Sequence, residues 1–529
     1  MNDKQQLTPH ISRLAGNSYD VVVIGGGIIG SSTAREAAAA GYSVLLVEKG
    51  DFASGASSRS SRLLHCGLRY FEAPAPVRYF LRHPNRFVSA LKMARQAMLA
   101  RREIVQTTSQ RAVPLVFAFP VYRDGPYTPL QVDIAFKLLA RMAPDDVPLN
   151  YRRLKGKAAS GNPMVAALAR QQDLLSAAQF TEYQFNWPER LCVDAVLDAR
   201  QLGAEAVNYT EASIGPLQGD CRVVCLSDAS GKQVEVTARR VVTMAGVWID
   251  KVLRKSKPDM PRKTFGTKGA HIVVRLPEKY RHHGVSTINS HGEPFYCIPW
   301  HDLHYIGPTE TPYDGDPDHV NVDANDLEFM LSETASLFPG LNITRADVLS
   351  TWAGVRPLTY NDGFPKGDRA RTFHDLAANG MPGVFAMTAA PIMSHRISGR
   401  EVVDRLRTEI NPSGSPATLS YAPHLPLVNT NTSPLADTDT EYHLADVRQA
   451  VRHEQARTLF DIVYRRTGLG WRHTFDGNEL DAIADIMTAE LGWSPQRRSA
   501  EISQFRQETE SLFGVPGRQH AHTTNASKP

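Results

Sequence analysis

The apolar positions near the start of the chain fall into two short blocks, with a glycine turn and an alanine-rich stretch between them. Val21–Ile24 (VVVI) is a continuous apolar run; GGGIIG breaks it, SSTAREAAAAG runs on to Gly41, and SVLLV follows. Short unbroken apolar runs mark parallel strands covered on both faces, and the alanine-rich stretch reads as a helix stopped by its glycine. The pattern predicts strand, turn, helix, strand. RRVVTMAGVWID at 239–250 repeats the opening, with a strand ending at Ala245-Gly246 before a helix. Further on, HIVVRL, YCIPW and LHYIGPT are short β-type runs separated by Gly, Pro and Asp turns. From Glu441 onward, DVRQAVRHEQARTLFDIVYRRTGLGW and ELDAIADIMTAELGW carry helical periodicity, and 411–440, rich in Pro, Ser, Thr and Asn, reads as a linker. The fold class is α/β.

Composition narrows the partners more than the fold. A chain of 529 residues predicts two or three domains, and 42% apolar with 22% charged content is that of an ordinary globular protein. A net charge of +4 carries no general field for nucleic acid. The five cysteines (66, 192, 221, 225 and 297) form no disulfide or metal-ligand framework, which suits a reducing cytoplasm. No apolar run is long enough to span a bilayer, and residues 1–18, lacking a secretory core, are expected to be a disordered lead-in. The tail 516–529 is expected to be disordered too.

The chemistry starts at the first turn. Gly25, Gly27 and Gly30 make G-x-G-x-x-G directly after a strand and before a helix, the context in which backbone approaches a pyrophosphate at a helix N-terminus. Glu48 closes the second strand, where a carboxylate can accept from ribose hydroxyls. The loop GDFASGASSRSSRLLHCGLRY, with Ser57 and Ser58, is rich in small and hydroxyl residues and suits continued contact with a long cofactor. Gly246 supplies a second close backbone approach. Together these favour FAD over NAD.

At these residues the chain resembles the FAD-dependent, quinone-linked glycerol-3-phosphate dehydrogenases, within the D-amino-acid-oxidase-like flavoproteins. The blocks that carry the resemblance are VVIGGGIIG, ASSRSSRLLHCGLRYFE, TKGAHIVV, FYCIPWHDLHYIGPTETPYDGDP and TWAGVRPL. The resemblance implies a Rossmann-type FAD domain (19–95, 165–260 and 350–410) interleaved with an antiparallel-sheet substrate domain (96–164 and 261–349), then the 411–440 linker and a helical domain at 441–515. It also implies roles. His271 is the candidate base, Arg356 a phosphate or alkoxide ligand, Arg69, Tyr70 and Arg371 further substrate contacts, and Arg396 part of the flavin site. The implied reaction is oxidation of sn-glycerol 3-phosphate or a related polyol phosphate, with electrons passed to membrane quinone. An amine, amino-acid or hydroxy-acid oxidase using oxygen is the alternative, and a non-catalytic flavin-binding paralogue a third reading. Three departures bear on the substrate: Ala389-Ala390-Pro391 where the family has Gly-Gly-Lys, His65-Cys66-Gly67 for His-Gly-Gly, and Pro308-Thr309-Glu310 for Thr-Thr-Asp.

The resemblance points to the cytoplasm, with a peripheral position on the inner face of the plasma membrane as a further expectation; homodimerisation is left open. Between Glu72 and Glu103 the chain carries Arg78, Arg82, Arg86, Lys92, Arg95, Arg101 and Arg102, interleaved with Phe80, Leu81, Phe87, Val88, Leu91, Met98 and Leu99. Such a segment suits either anionic lipid or an ordinary helix with its apolar side inward.

Overall fold

The computed structural model describes residues 11–71, 76–142, 146–364, 366–424, 434–436, 439–473, 475 and 478–518. Ser18–Ile24 and Val44–Val47 are the two expected strands, paired in parallel with Val21 opposite Val44 and Ile24 opposite Val47. The helix Ile28–Ala39 joins them. Gln233–Thr243 and Val384–Thr388 extend the sheet on one side and Glu205–Val207 on the other, all parallel. Successive side chains of a strand point to opposite faces, and both faces here are covered. Val21, Val23, Val44 and Leu46 pack with Ala34, Ala37, Val196, Val402 and Leu406 from three helices. Val22, Leu45 and Val47 pack on the other side with Leu14, Ile249 and Leu253.

Leu14 corrects the expected lead-in. Ile11 and Leu14, one turn apart in a 3-10 helix, are both buried, and the Gly16 N–H donates to Glu235 O at 2.8 Å. Residues 11–18 are therefore held to the sheet by apolar burial; residues 1–10 lie outside the described residues.

The second sheet is ten-stranded and mostly antiparallel. Its longest pairs are Ala112–Tyr122 with Leu174–Phe185, and Thr264–Val274 with Val348–Thr359. Leu174–Phe185 and Val348–Thr359 thus belong to this sheet, although the expected boundaries placed 174–185 and most of 348–359 in the cofactor domain; their ladder partners decide the matter. The C-terminal helices Leu444–His453, Asn478–Leu491 and Pro495–Phe513 pack against the same sheet. Trp471 lies 5.7 Å from the rings of both Trp300 and Trp352. Residues 411–424 of the expected linker lie along the first sheet's helices, with Gly414 N–H donating to Gly41 O and Ala417 N–H to Ala39 O, both at 2.8 Å. Residues 425–433 lie outside the described residues. At the tail, Arg518 Nη1 donates to Val348 O at 2.9 Å, and 519–529 lie outside the described residues.

Candidate active site

A cavity of about 1960 Å³ is lined by both sheets and by the C-terminal domain. This exceeds the roughly 300–1,000 Å³ of a single small-molecule pocket, leaving room for an extended cofactor and a substrate. Gly25 has φ +108°, and a Cβ on it would meet Met244 O at 2.7 Å. A Cβ on Gly30 would collide with the Gly25 carbonyl, so helix and turn touch only because both residues lack side chains. The helix after Gly27 has no side-chain cap of its own; Ser57 Oγ, from the following loop, accepts the Ile28 N–H at 2.9 Å. Glu48 is buried, and its two oxygens accept from Gly26 N–H at 2.6 Å and Gly50 N–H at 2.8 Å. Burial raises this carboxyl above its ordinary range, opposed by those two donors. A carboxylate offers about four acceptor positions, so two remain for ribose hydroxyls. Met244, Ala245 and Gly246 line the same cavity. A bare cradle, a helix N-terminus and a buried carboxylate in this order fit the diphosphate and ribose of FAD.

Another stretch of the cavity wall is built on one strand pair. Thr267 faces Arg356, Gly269 faces Gly354 and His271 faces Trp352, so all six residues share a face of the sheet. The two glycines leave its centre bare. The Arg356 guanidinium lies over Gly269, where an added Cβ would come within 2.8 Å of Arg356 Cζ. His271 stacks on Trp352 at 4.8 Å between centroids, and its Nε2 is 3.0 Å from Ser61 Oγ. Burial, then the charges of Arg356 and Arg62, hold the imidazole well below its usual range, so it is neutral near pH 7. Arg62 is itself fully buried, with its guanidinium 4.2 Å from the Trp300 ring and 4.9 Å from that of Trp471. Its Nη2 donates to Ser58 O at 3.3 Å and to Glu189 at 3.4 Å.

Of the residues expected from the sequence, Gly25, Gly27, Glu48, Ser57, Tyr70, Gly246, His271 and Arg356 line the cavity. Gly30 stands directly behind it. Three others are placed elsewhere. Arg371 donates to Glu401 at 2.8 Å and is drawn off the cavity wall by that ion pair, whereas Arg369 lines the wall and pairs with Glu310. Arg396 is buried, donating to Thr107 Oγ1 at 2.7 Å and Thr108 Oγ1 at 2.8 Å, so it ties two helices together away from the cavity. Ser58 Oγ donates to Gly55 O at 3.0 Å within its own loop. Arg69 belongs to the turn Leu68–Phe71, and its side chain lies outside the described residues. Pro391 lines the cavity with Ala389, Ala390 and Ile392, an apolar stretch where the resemblance implied a lysine.

Sequence reasoning missed Arg59, Ser61, Arg62, Arg369 and Arg465, all on the wall. The first three sit inside the hydroxyl-rich block quoted for the resemblance and were masked by its bulk composition. Arg465 lies in a helical segment with no motif to single it out.

Comparison with known proteins agrees with this geometry. Residues 20–405 match the model of the family described as FAD dependent oxidoreductase, and 425–498 match that of the C-terminal domain of alpha-glycerophosphate oxidase. A glycerol-3-phosphate dehydrogenase of Synechocystis sp. is 27% identical over 560 aligned residues, covering 93% of this chain and 97% of that protein. The glycerol-3-phosphate dehydrogenase from Bacillus halodurans complexed with FAD superposes with a TM-score of 0.70 at 21% identity, over 96% of this chain and 98% of that one. Glycine oxidase from Bacillus cereus superposes with a TM-score of 0.54 at 21% identity, over 76% of this chain and 99% of its own. The two structural likenesses speak to the fold alone. With a family match spanning most of its length and a cradle built for the same cofactor, the chain belongs to the FAD-dependent oxidoreductases, with glycerol-3-phosphate dehydrogenases among its relatives.

Proposed function

We propose that the protein oxidises sn-glycerol 3-phosphate, or a closely related polyol phosphate, to the keto phosphate and passes the electrons to a membrane quinone. The observation that carries this reading is a neutral imidazole and a guanidinium, His271 and Arg356, on one bare sheet face at the cofactor cavity. When bound, the flavin supplies the acceptor for a hydride from the alcohol carbon. His271 Nδ1 is enclosed, so the base works through Nε2, 3.0 Å from Ser61 Oγ: Ser61 on the cavity wall takes the hydroxyl proton as it passes its own to Nε2. Arg356 presents a planar fork of donors to phosphate, or to the oxygen as it gains charge. The alcohol loses a hydride from carbon and a proton from oxygen, and leaves as the ketone. Support for a phosphorylated substrate comes from the relatives' names and from the C-terminal match. The apolar stretch around Pro391 supports a substrate whose phosphate depends mainly on Arg356.

Among the described residues no helix is long and apolar enough to cross a membrane. Access to quinone is proposed through the helices Pro76–Arg82 and Pro84–Thr107, where Leu81 is 77% and Val88 63% exposed beside exposed Arg82, Arg86, Lys92 and Arg95. Met98 and Arg101 of the same segment are buried, and Arg101 donates to Val147 O at 2.9 Å. These two belong to the packed side of the helix.

Anaerobic mixing of the flavoprotein with sn-glycerol 3-phosphate tests the chemistry. Rapid bleaching of the visible flavin band is the expected result. Bleaching only with an amine or amino acid, with hydrogen peroxide released in air, would overturn it in favour of an oxidase. Retention in the supernatant with anionic vesicles at low salt would count against the membrane assignment.

A further inference from the structure

The C-terminal domain reaches the cavity through the helix Pro495–Phe513, with Gln507, Glu508, Ser511 and Leu512, and through one turn of π-helix, Asp461–Arg466, which together with Phe460 before it puts Arg465 on the cavity wall. Arg465 is held from two sides. Its Nε donates to Asp51 Oδ2 at 2.6 Å, and its Nη2 to Asp461. Arg466 grips the same Asp51 carboxylate with Nη1 and Nη2, both at 2.8 Å, and Asn208 Nδ2 donates to it at 2.8 Å. Asp51 is 1% exposed. Burial alone would raise its carboxyl, but the guanidiniums of Arg466 and Arg465 outweigh burial and hold it well below the usual range.

Asp51 stands three residues beyond Glu48, on the same turn. That turn is pinned from the first sheet by Tyr209 N–H donating to Gly50 O at 2.8 Å and Thr210 N–H to Glu48 O at 2.9 Å. Tyr209 then donates its hydroxyl to Asp461 at 2.7 Å, closing a loop of contacts back to the C-terminal domain. A second cation lines the same cavity. Arg59 donates to Val320 O at 3.3 Å and, among the described residues, has no carboxylate partner. Burial first, then the charge of Arg465, push it down to about 10. Arg59 and Arg465 thus line one cavity, and planar guanidiniums hold phosphate oxygens through paired donors.

We propose that Arg465 is a cofactor-binding residue supplied by the C-terminal domain, acting with Arg59 on the diphosphate of FAD, and that the Asp51 clasp makes docking of this domain a condition of tight FAD binding. The proposal goes beyond the assignment of substrate and does not depend on which alcohol is oxidised.

The test uses the full chain as apoprotein, titrated with FAD by flavin fluorescence and with ADP or adenosine by calorimetry. Charged hydrogen bonds of this kind contribute on the order of tenfold to a hundredfold in affinity. Arg465→Met should weaken FAD and ADP by that factor and leave adenosine nearly unchanged, and the rise in Tm on adding FAD should shrink. Arg465→Lys keeps the charge and most of the packing, and should show a smaller loss in the same direction; it carries the test should the methionine variant fail to fold. Unchanged affinities for FAD and ADP in a folded variant, with apo and holo Tm falling together, would overturn the proposal and leave the clasp a purely structural contact. An equal loss for adenosine would overturn the assignment to the diphosphate.

Discussion

Two stretches of the cavity wall are built by different means. At the glycine turn the wall is backbone amides and the absence of side chains, with Glu48 fixed by two N–H donors. At His271 and Arg356 the wall is side chains, brought together by the register of two strands some eighty residues apart in sequence. The turn lies within one contiguous segment, and its geometry is dictated locally. The charges around the second stretch are set by competition. Arg369 pairs with Glu310, Lys366 with Glu293 at 2.8 Å and Arg371 with Glu401 at 2.8 Å, so the fold decides where each cation points. A backbone site survives changes in its surroundings that would redirect a side-chain site.

That contrast can be broken at defined points. The largest effect is expected for Gly30→Val, whose side chain would drive the helix off the Gly25 carbonyl; the purified protein should carry no flavin absorbance. Arg356→Gln should lower kcat/KM by about a thousandfold, the upper range for losing one transition-state donor, with flavin content unchanged. Gly269→Ala adds a single methyl, yet its Cβ would occupy the space of the Arg356 guanidinium. A loss of about a hundredfold in kcat/KM with intact flavin is expected from that displacement, and an unaltered rate would show that Arg356 has no fixed position in turnover. His271 gives a smaller, pH-dependent effect. Its folded pKa lies well below the unfolded 6.5, so its contribution to stability is complete above pH 6.5 and is lost as pH falls below it. His271→Gln should flatten the decline of Tm with acid by about one proton's worth of slope. The smallest effect belongs to Arg371→Gln, for which no change in kcat/KM is expected because the side chain is engaged with Glu401 away from the cavity.

What could be read in advance follows the same division. The strands Val21–Ile24 and Val44–Val47, the glycine turn and Glu48 were legible because an unbroken apolar run and a spaced glycine motif are local signals. Arg396 was expected in the flavin site from its position after the 389–395 segment alone, which carries no mark of a side chain's direction, and its bonds to Thr107 and Thr108 turn it away from the cavity. The strands Leu174–Phe185 and Val348–Thr359 were assigned to the wrong domain because an apolar run does not name its ladder partner. Arg62 was missed because its cage is assembled from Trp300, Trp352 and Trp471, three distant positions.

By itself the sequence determined the α/β class, the FAD cradle and the presence of a helical C-terminal region, since each rests on periodicity or on spacing between near neighbours. Only the tertiary structure decided that His271 and Arg356 share a bare face, that Arg369 rather than Arg371 reaches the cavity, and that Arg465, bonded to Asp51, lines the same cavity. The physical reason is that a charged side chain takes its direction from the partner that best compensates its burial, and that partner is found only when distant segments pack.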